Sequence, residues 1–493
     1  MTISFVGAGP GDPRLLTLRG AELLARADVV VASHGVHEET MRQAKNAEHV
    51  HVAKGERPET IAALMIDRAK AGKRVVRLFR GDSMLFGTGQ SEVALVARAG
   101  QPIEIVAGVI MPTAAAAYAG LSLSSSSDIT PSVAFAVVPD ASALHDWKAL
   151  SLATDTLALL VDASQVDEVC STLTYHGRSP DTPAGLVRDA SLPTQRVAFD
   201  TLVRIREHAA SFGAGEVLLL VGQPLAQREG LRWFVERPLF GKRVLLTRPR
   251  EQADRTASML RDEGADPIVI PTIEIVAPVD FTPLDRALAE LETYAWVAFT
   301  SENGVHRTWD RLTSSGKDAR AFGRSKFAAI GPGSAAALKE HGLTADVVAK
   351  ESHGEGLAQT LLDAMGSTRG RVLVLRAKEA REVLPEILRA AGCVVDVVTV
   401  YETKPALGAQ SIATLLLDGA IDAITLTSAS TVTSLCAALG ERAPVLLAKT
   451  RVVSIGPITT AAAEALGVRV DGTATPHTLE GLIQALMEVF STK

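Results

Sequence analysis

At 493 residues the chain is too long for one hydrophobic core, and ordinary domain sizes divide it into three or four lobes. Charged residues make up 22% and hydrophobic ones 47%, a globular balance, and the net charge of −6 argues against a general nucleic-acid binder. Cys170, Cys393 and Cys436 fit no metal-ligand spacing and point to a reducing, cytoplasmic setting, while the lack of a signal peptide or an apolar run of about 18 residues argues against a membrane partner.

The first element is a short apolar strand, residues 3–6, running into Gly7, Gly9, Pro10 and Gly11, after which Asp12 reads as an N-cap and Pro13 as the first helical residue. Counted from Gly7, the sixth position of G-x-G-x-x-G is Asp12, so the dinucleotide fingerprint fails. Pro10 also removes an amide, and Asp12 occupies the helix end that favours anions. The loop therefore suits a neutral or cationic ligand held by backbone, or simply a tight turn. Buried parallel strands follow at ADVVVAS (27–33), KRVVRLF (73–79), PIEIVAG (102–108), TLALLVD (156–162) and GEVLLLVG (215–222), with helical stretches between most of them. The segment 182–202 reads as strand, turn, strand, which makes a second sheet mixed. The class is α/β throughout.

From Gly241 the sequence repeats itself. RVLLTR (243–248) recurs as RVLVLR 128 residues on, FTSENGV (299–305) as LTSASTV 127 on, and AIGPGSAAALKEHG (329–342) as SIGPITTAAAEALG 125 on. Three ordered matches imply two similar flavodoxin-like lobes, each with a parallel sheet. PTIEIVAP (271–278) and VYETKP (400–405) read as extended crossovers, so one lobe is inserted in the other and a hinged cleft lies between them. Ligands of parallel sheets bind beyond the carboxyl ends of the strands, which places Thr247, Arg248, Thr300, Ser301, Arg376, Thr427 and Ser428 at candidate sites. Helices opening at Gly331 and Gly456 add amide donors for carboxylates or phosphates. Each hydroxyl can equally be a helix cap, and each arginine a solvated charge at a strand end.

With TRP (247–249), FTSENGV, IGP, VYET (400–403), TSAST (427–431) and IGPITTAA present in order, residues 241–493 resemble the uroporphyrinogen-III synthases. The resemblance implies an enzyme that closes hydroxymethylbilane into uroporphyrinogen III while inverting the last ring, without a cofactor. It adds Asn303, Ser430 and Thr459 to the substrate contacts, and it makes Tyr401 the acid that assists hydroxyl departure. Its alternative role is packing between the lobes. The substrate carries eight carboxylates, so donors matter more than a nucleophile, and the resulting azafulvene reacts through a spiro intermediate held in one conformation. A hinged ligand-sensing module is the reading from another class.

Residues 1–240 resemble the tetrapyrrole methylases, closest to the uroporphyrinogen-III C-methyltransferases, through GAGPGDP (7–13), GKRVVRL (72–78), FG-x-G (86–89), the stretches 107–123 and 182–196, and LRWFVERPLFGKR (231–243). The resemblance implies S-adenosylmethionine as cofactor, at Gly7, Gly9, Pro10, Gly11, Asp12, Gly81, Asp82, Phe86 and Gly87, and a homodimer through this half. Domains are expected at 1–125 and 126–240 for the methylase-like half, at 241–275 with 404–493 for one synthase lobe, and at 276–403 for the other. The sequence departs from the family's pattern at Ala32-Ser33, at Arg80 and Ser83 around Gly81-Asp82, at Ile110-Met111, at Ser124 to Ser126, and at Asp162. Turned inward, Asp162 would be an unpaired charge in an apolar slot. Two readings follow: a methylase-like domain that no longer methylates, or a divergent methyltransferase that converts uroporphyrinogen III to precorrin-2.

Overall fold

A computed structural model describes residues 1–86, 89–125, 131–139, 146–227, 231–351, 353–406, 408 and 410–491. Gly87 and Ser126 lie outside the described residues. The chain divides into two compact units, Met1–Arg243 with Ser258–Pro267 and Phe490–Lys493, and Val244–Ala257 with Ile268–Val489.

In the first unit, the strands Ile3–Gly7, Val29–Ala32, Glu48–His51, Val75–Phe79 and Ile103–Val106 form a parallel sheet, in the order third, second, fourth, first, fifth. The three inner strands, Ile3–Gly7, Val29–Ala32 and Val75–Phe79, are buried because helices cover both faces, with Phe5, Met65 and Phe79 in the core on one side and Val6, Leu24 and Met41 on the other. Ile103–Val106, expected to be buried, is instead an edge strand that leaves Ile103 and Ile105 exposed. Arg77 sits inside this sheet at 1% exposure and meets Glu92 in a bidentate pair of 2.7 and 2.9 Å. Its remaining nitrogen donates to the carbonyls of Val31 and Leu78, which satisfies the charge without water.

A second sheet runs Val133–Val138, Thr156–Asp162, Glu216–Gly222, Pro183–Arg188, Arg196–Thr201. Its first pair is parallel and the rest antiparallel, the mixed sheet expected from the strand-turn-strand segment. The turn there holds Asp189 and Ser191 at positive φ of 52° and 69°. Asp162 is not an inward charge. It caps the turn that follows its strand, accepting from the amide and hydroxyl of Ser164 at 2.9 and 2.7 Å. The helix expected at Asp12-Pro13 is a single turn, Pro13–Leu15, because Leu16 and Thr17 are extended, and the α-helix Leu18–Ala25 starts only after Thr17 as its cap.

The second unit carries the two remaining sheets. One runs Asp266–Val269, Arg243–Leu246, Ala423–Leu426, Arg451–Ser454, Gly472–Thr473, which in chain order is 2-1-3-4-5, the flavodoxin order. The other runs Ile273–Val276, Val394–Pro405, Arg371–Ala377, Trp296–Phe299, Lys326–Ala329, Val347–Val348. Started at Arg371–Ala377, its parallel strands also read 2-1-3-4-5. The repeat explains the permutation: each lobe takes its first two strands from one repeat and its last three from the other. Ile273–Val276 crosses antiparallel to the far end of Val394–Pro405, pairing Val276 with Glu402 and Ile273 with Pro405. These two strands carry the chain between lobes.

Candidate active site

The carboxyl ends of the parallel strands in the second unit run straight into helices, and the first residue beyond each strand decides what is exposed there. Ser301 is extended and its hydroxyl accepts from the Gly304 amide at 3.0 Å, capping Glu302–Ser314. Ser428 caps Ala429–Leu439 in the same way, with Thr431 completing a capping box. Ser430 is exposed and lies 2.9 Å from the Ser428 hydroxyl. Thr300 donates to the carbonyl of Leu375 at 3.3 Å. Thr247 is fully buried and its hydroxyl has no hydrogen-bond partner among the described residues; Thr427 is half-buried, and Thr459 is buried inside the helix Pro457–Ala465.

The two glycine-led helix starts are not open donors alike. Gly331 and Gly456 are extended caps of Pro332–Glu340 and Pro457–Ala465. A Cβ at Gly333 would sit 1.9 Å from the Glu302 carboxylate, so this chain's own acid lies against the first helix start. The His477 ring lies over Gly456 at 3.3 Å from where a Cβ would be.

Tyr401 brings the set together. It lies on the crossover strand Val394–Pro405, is 7% exposed, and donates its hydroxyl to Ser301 at 3.0 Å, beside Asn303 in the first turn of the same helix. Burial pushes the phenol above its ordinary value, while hydrogen bonding with Ser301 and Asn303 pulls it back. Ser301 is thus both a helix cap and a partner of the tyrosine.

The repeated arginines part company. Arg376 is buried and turned into its own loop, donating to the carbonyls of Ala380 and Arg381 and pairing with Glu382, so it is not among the free donors of the cleft. Arg248 is half-buried, and among the described residues its guanidinium makes no hydrogen bond and no ion pair. Desolvation holds it below its usual pKa, with Glu302 near enough only to oppose the shift. Sequence reasoning missed Gln252, whose amide donates to Asn303 Oδ1 at 2.9 Å. The only signal was its place in the first turn of the helix after TRP.

In the first unit, the glycine loop is knotted to its neighbours. Ala8 donates to Phe79, Gly9 and Gly81 exchange bonds of 3.2 and 2.8 Å, and the Asp12 amide donates to Ser191 at 3.0 Å. Pro10 is buried, and a Cβ at Gly11 would meet Leu192 at 2.8 Å. Gly7 and Gly108 cross so closely that a Cβ on either would approach backbone within 2.6 Å. Asp82 accepts from the amides of Met84 and Gly108 at 2.8 and 2.7 Å. Phe86 has a φ of 61° and is 45% exposed. The amides of Ala8, Gly9, Asp12 and Gly81 are thus engaged within the protein and are not open to a cofactor. Arg80, one of the departures from the family's pattern, reaches Glu216 on the second sheet at 3.0 Å.

Among the described residues, no cluster of three or more acidic, histidine or cysteine side chains could hold a metal ion, and no helix is long and apolar enough to cross a membrane. Residues 2–205 match the family described as Tetrapyrrole (Corrin/Porphyrin) Methylases, and residues 254–484 match Uroporphyrinogen-III synthase HemD. The porphyrin biosynthesis protein HemD of Ruminiclostridium josui is 31% identical over 500 residues, which cover 99% of this chain and 98% of that one. A siroheme synthase of Neisseria meningitidis serogroup B is 36% identical over 260 residues, 50% of this chain and 53% of the relative, so the chain spans about half of that protein. A uroporphyrin-III C-methyl transferase from Thermus thermophilus, solved in complex with S-adenyl homocysteine, is 31% identical, covering 46% of this chain and 99% of its own, with a TM-score of 0.40. The two halves together define a two-part enzyme of tetrapyrrole biosynthesis. The chain belongs to the HemD porphyrin-biosynthesis family, with a uroporphyrinogen-III synthase domain fused to a tetrapyrrole methylase domain.

Proposed function

We propose that the synthase half cyclises hydroxymethylbilane to uroporphyrinogen III, with Arg248 receiving a substrate carboxylate and Tyr401 donating the proton that releases the terminal hydroxyl. The observation that carries this reading is Arg248: a desolvated guanidinium without a partner among the described residues is costly until an anion reaches it. The hydroxyls at Ser428, Ser430 and Thr427 give further donors at the strand ends. As the C–O bond breaks, its electron pair leaves with the oxygen, which takes the Tyr401 proton and departs as water. The pyrrole nitrogen lone pair stabilises the carbon left behind as an azafulvene cation, which the last ring attacks through its substituted α-carbon to form the spiro intermediate. The bond from that α-carbon to its original methylene then breaks, the freed methylene is taken by the ring's unsubstituted α-carbon, and the proton this carbon loses restores the Tyr401 phenol. The sequence is redox-neutral and needs no cofactor. Since the uncatalysed closure gives the uninverted isomer, the cleft acts chiefly by holding one conformation. Incubation with hydroxymethylbilane and separation of the isomers tests this: the type III product is expected, and exclusive type I product overturns the reading.

The methylase half is, in this reading, a fold that no longer methylates. Its support is the loop whose amides are spent on the protein itself, together with Ile110-Met111 in place of small hydroxyl side chains and Arg80 bonded to Glu216. Titration calorimetry with S-adenosylmethionine is expected to give no binding heat; saturable binding would restore the alternative, a bifunctional synthase and C-methyltransferase making precorrin-2.

A further inference from the structure

Tyr401, Ser301 and Asn303 belong to the lobe of the six-stranded sheet, but Gln252 does not. It lies in the first turn of Arg250–Asp262, the helix after the strand Arg243–Leu246 of the other lobe, and its side chain crosses to Asn303. A carboxamide has one acceptor face and one donor face. With the Asn303 carbonyl engaged by Gln252 Nε2 at 2.9 Å, the face left for Tyr401 is the amide nitrogen, a donor. The Tyr401 hydrogen itself goes to Ser301. A hydrogen bond from that amide to the phenol oxygen, one of the influences that pull Tyr401 down, would stabilise the charge left when the proton departs. Turned over, Asn303 would set its carbonyl against that charge.

We propose that Gln252 is a positioning residue of the synthase reaction, which fixes the Asn303 amide from the opposite lobe and so makes Tyr401 a competent proton donor when the lobes are drawn together. At the repeat's offsets the same two positions are Ala380 and Ser430, which carry no such amide pair, so the latch exists on one side of the cleft only. This rests on the reading of Tyr401 as the acid. Burial and the Glu379 carboxylate hold the phenol up, the Ser301 and Asn303 hydrogen bonds pull it down, and loss of the Asn303 bond leaves the first pair less opposed.

The test uses the full chain with Gln252→Ala, Gln252→Glu, Tyr401→Phe and the double variant Gln252→Ala/Tyr401→Phe. Two quantities are read: steady-state cyclisation, and the ultraviolet phenolate titration, in which Tyr401's share is the difference from Tyr401→Phe. Gln252→Ala is expected to lower kcat about tenfold, part of the roughly 10²- to 10⁴-fold a general acid supplies, with KM within about twofold and the Tyr401 titration moved to higher pH. Gln252→Glu keeps the length but cannot donate, so it is expected to be no faster than Gln252→Ala. In the Tyr401→Phe background, Gln252→Ala is expected to cost nothing further. Wild-type kcat with Gln252→Glu, additive losses in the double variant, or an unmoved titration would each overturn the proposal. An unchanged kcat with Tyr401→Phe alone would instead remove the acid reading, while the titration still reports whether Gln252 sets the amide.

Discussion

Arg248 and Arg376 occupy the same place in the repeat, at or just beyond the carboxyl end of a buried strand, and their sequences alone give them the same role. What separates them is the partner supplied by the loop beyond. Arg376 finds two carbonyls and Glu382 within six residues and becomes a brace for its own turn. Arg248 finds none among the described residues, and stays a receptor. Two substitutions should therefore fail differently. Arg248→Gln removes a charged hydrogen bond present in both the bound substrate and the transition state, worth about 1.5–3 kcal/mol, so KM is expected to rise roughly ten- to a hundredfold with kcat little changed. Its Tm should hold or rise, because a desolvated charge is gone. Tyr401→Phe removes an interaction of the transition state, so kcat is expected to fall about 10²-fold or more, with KM and the circular dichroism spectrum unchanged. Steady-state kinetics on both variants separates the roles; equal effects on KM and kcat in the two would mean that neither has the part assigned to it.

At the scale of elements, the α/β class was legible because strands buried on both faces leave continuous apolar runs, and 27–33, 73–79, 156–162 and 215–222 each contain a strand of their sheets, although Glu216–Gly222, expected to be parallel, is antiparallel to both its neighbours. The crossovers were legible through their prolines and extended pattern, and 273–276 does pair with 402–405. Less could be read where tertiary partners decide. KRVVRLF gives no sign that Arg77 is buried with Glu92 from a helix fifteen residues on, because an interior arginine and a surface one are written alike. The opening glycines read as a cradle or a turn, and only the hydrogen bonds show Gly9 and Gly81 closing on each other. Of the candidate site, the hydroxyls and Tyr401 were visible as repeated or family-like residues. Gln252 was not, since its role depends on a residue 51 positions away in the opposite lobe.

For the second unit as a whole, the consequence of the repeat is an exchange of strands. The first repeat gives Arg243–Leu246 and Asp266–Val269 to one lobe and Trp296–Phe299, Lys326–Ala329 and Val347–Val348 to the other. The second repeat gives Arg371–Ala377 and Val394–Pro405 to the lobe that holds the first repeat's last three strands, and its own last three to the remaining one. Arg371–Ala377 sits between Trp296–Phe299 and Val394–Pro405, hydrogen-bonded in parallel on both sides, so the two repeats meet within the sheet and not at its rim. The peptide joining them, residues 366–369, is exposed and follows the helix Gly354–Met365. Cutting it severs no sheet hydrogen bond. A protease site placed at 367–369 and cleaved in the folded protein is therefore expected to give two fragments that travel together at the mass of the intact chain in native gel filtration. Cyclisation should be retained, and the fragments should part only in denaturant. Interfaces built from core strands of both partners are of the obligate kind, far larger than a transient contact. Release of the fragment that begins near residue 370 in native buffer would show that each repeat holds its own lobe, and the strand exchange would have to be abandoned.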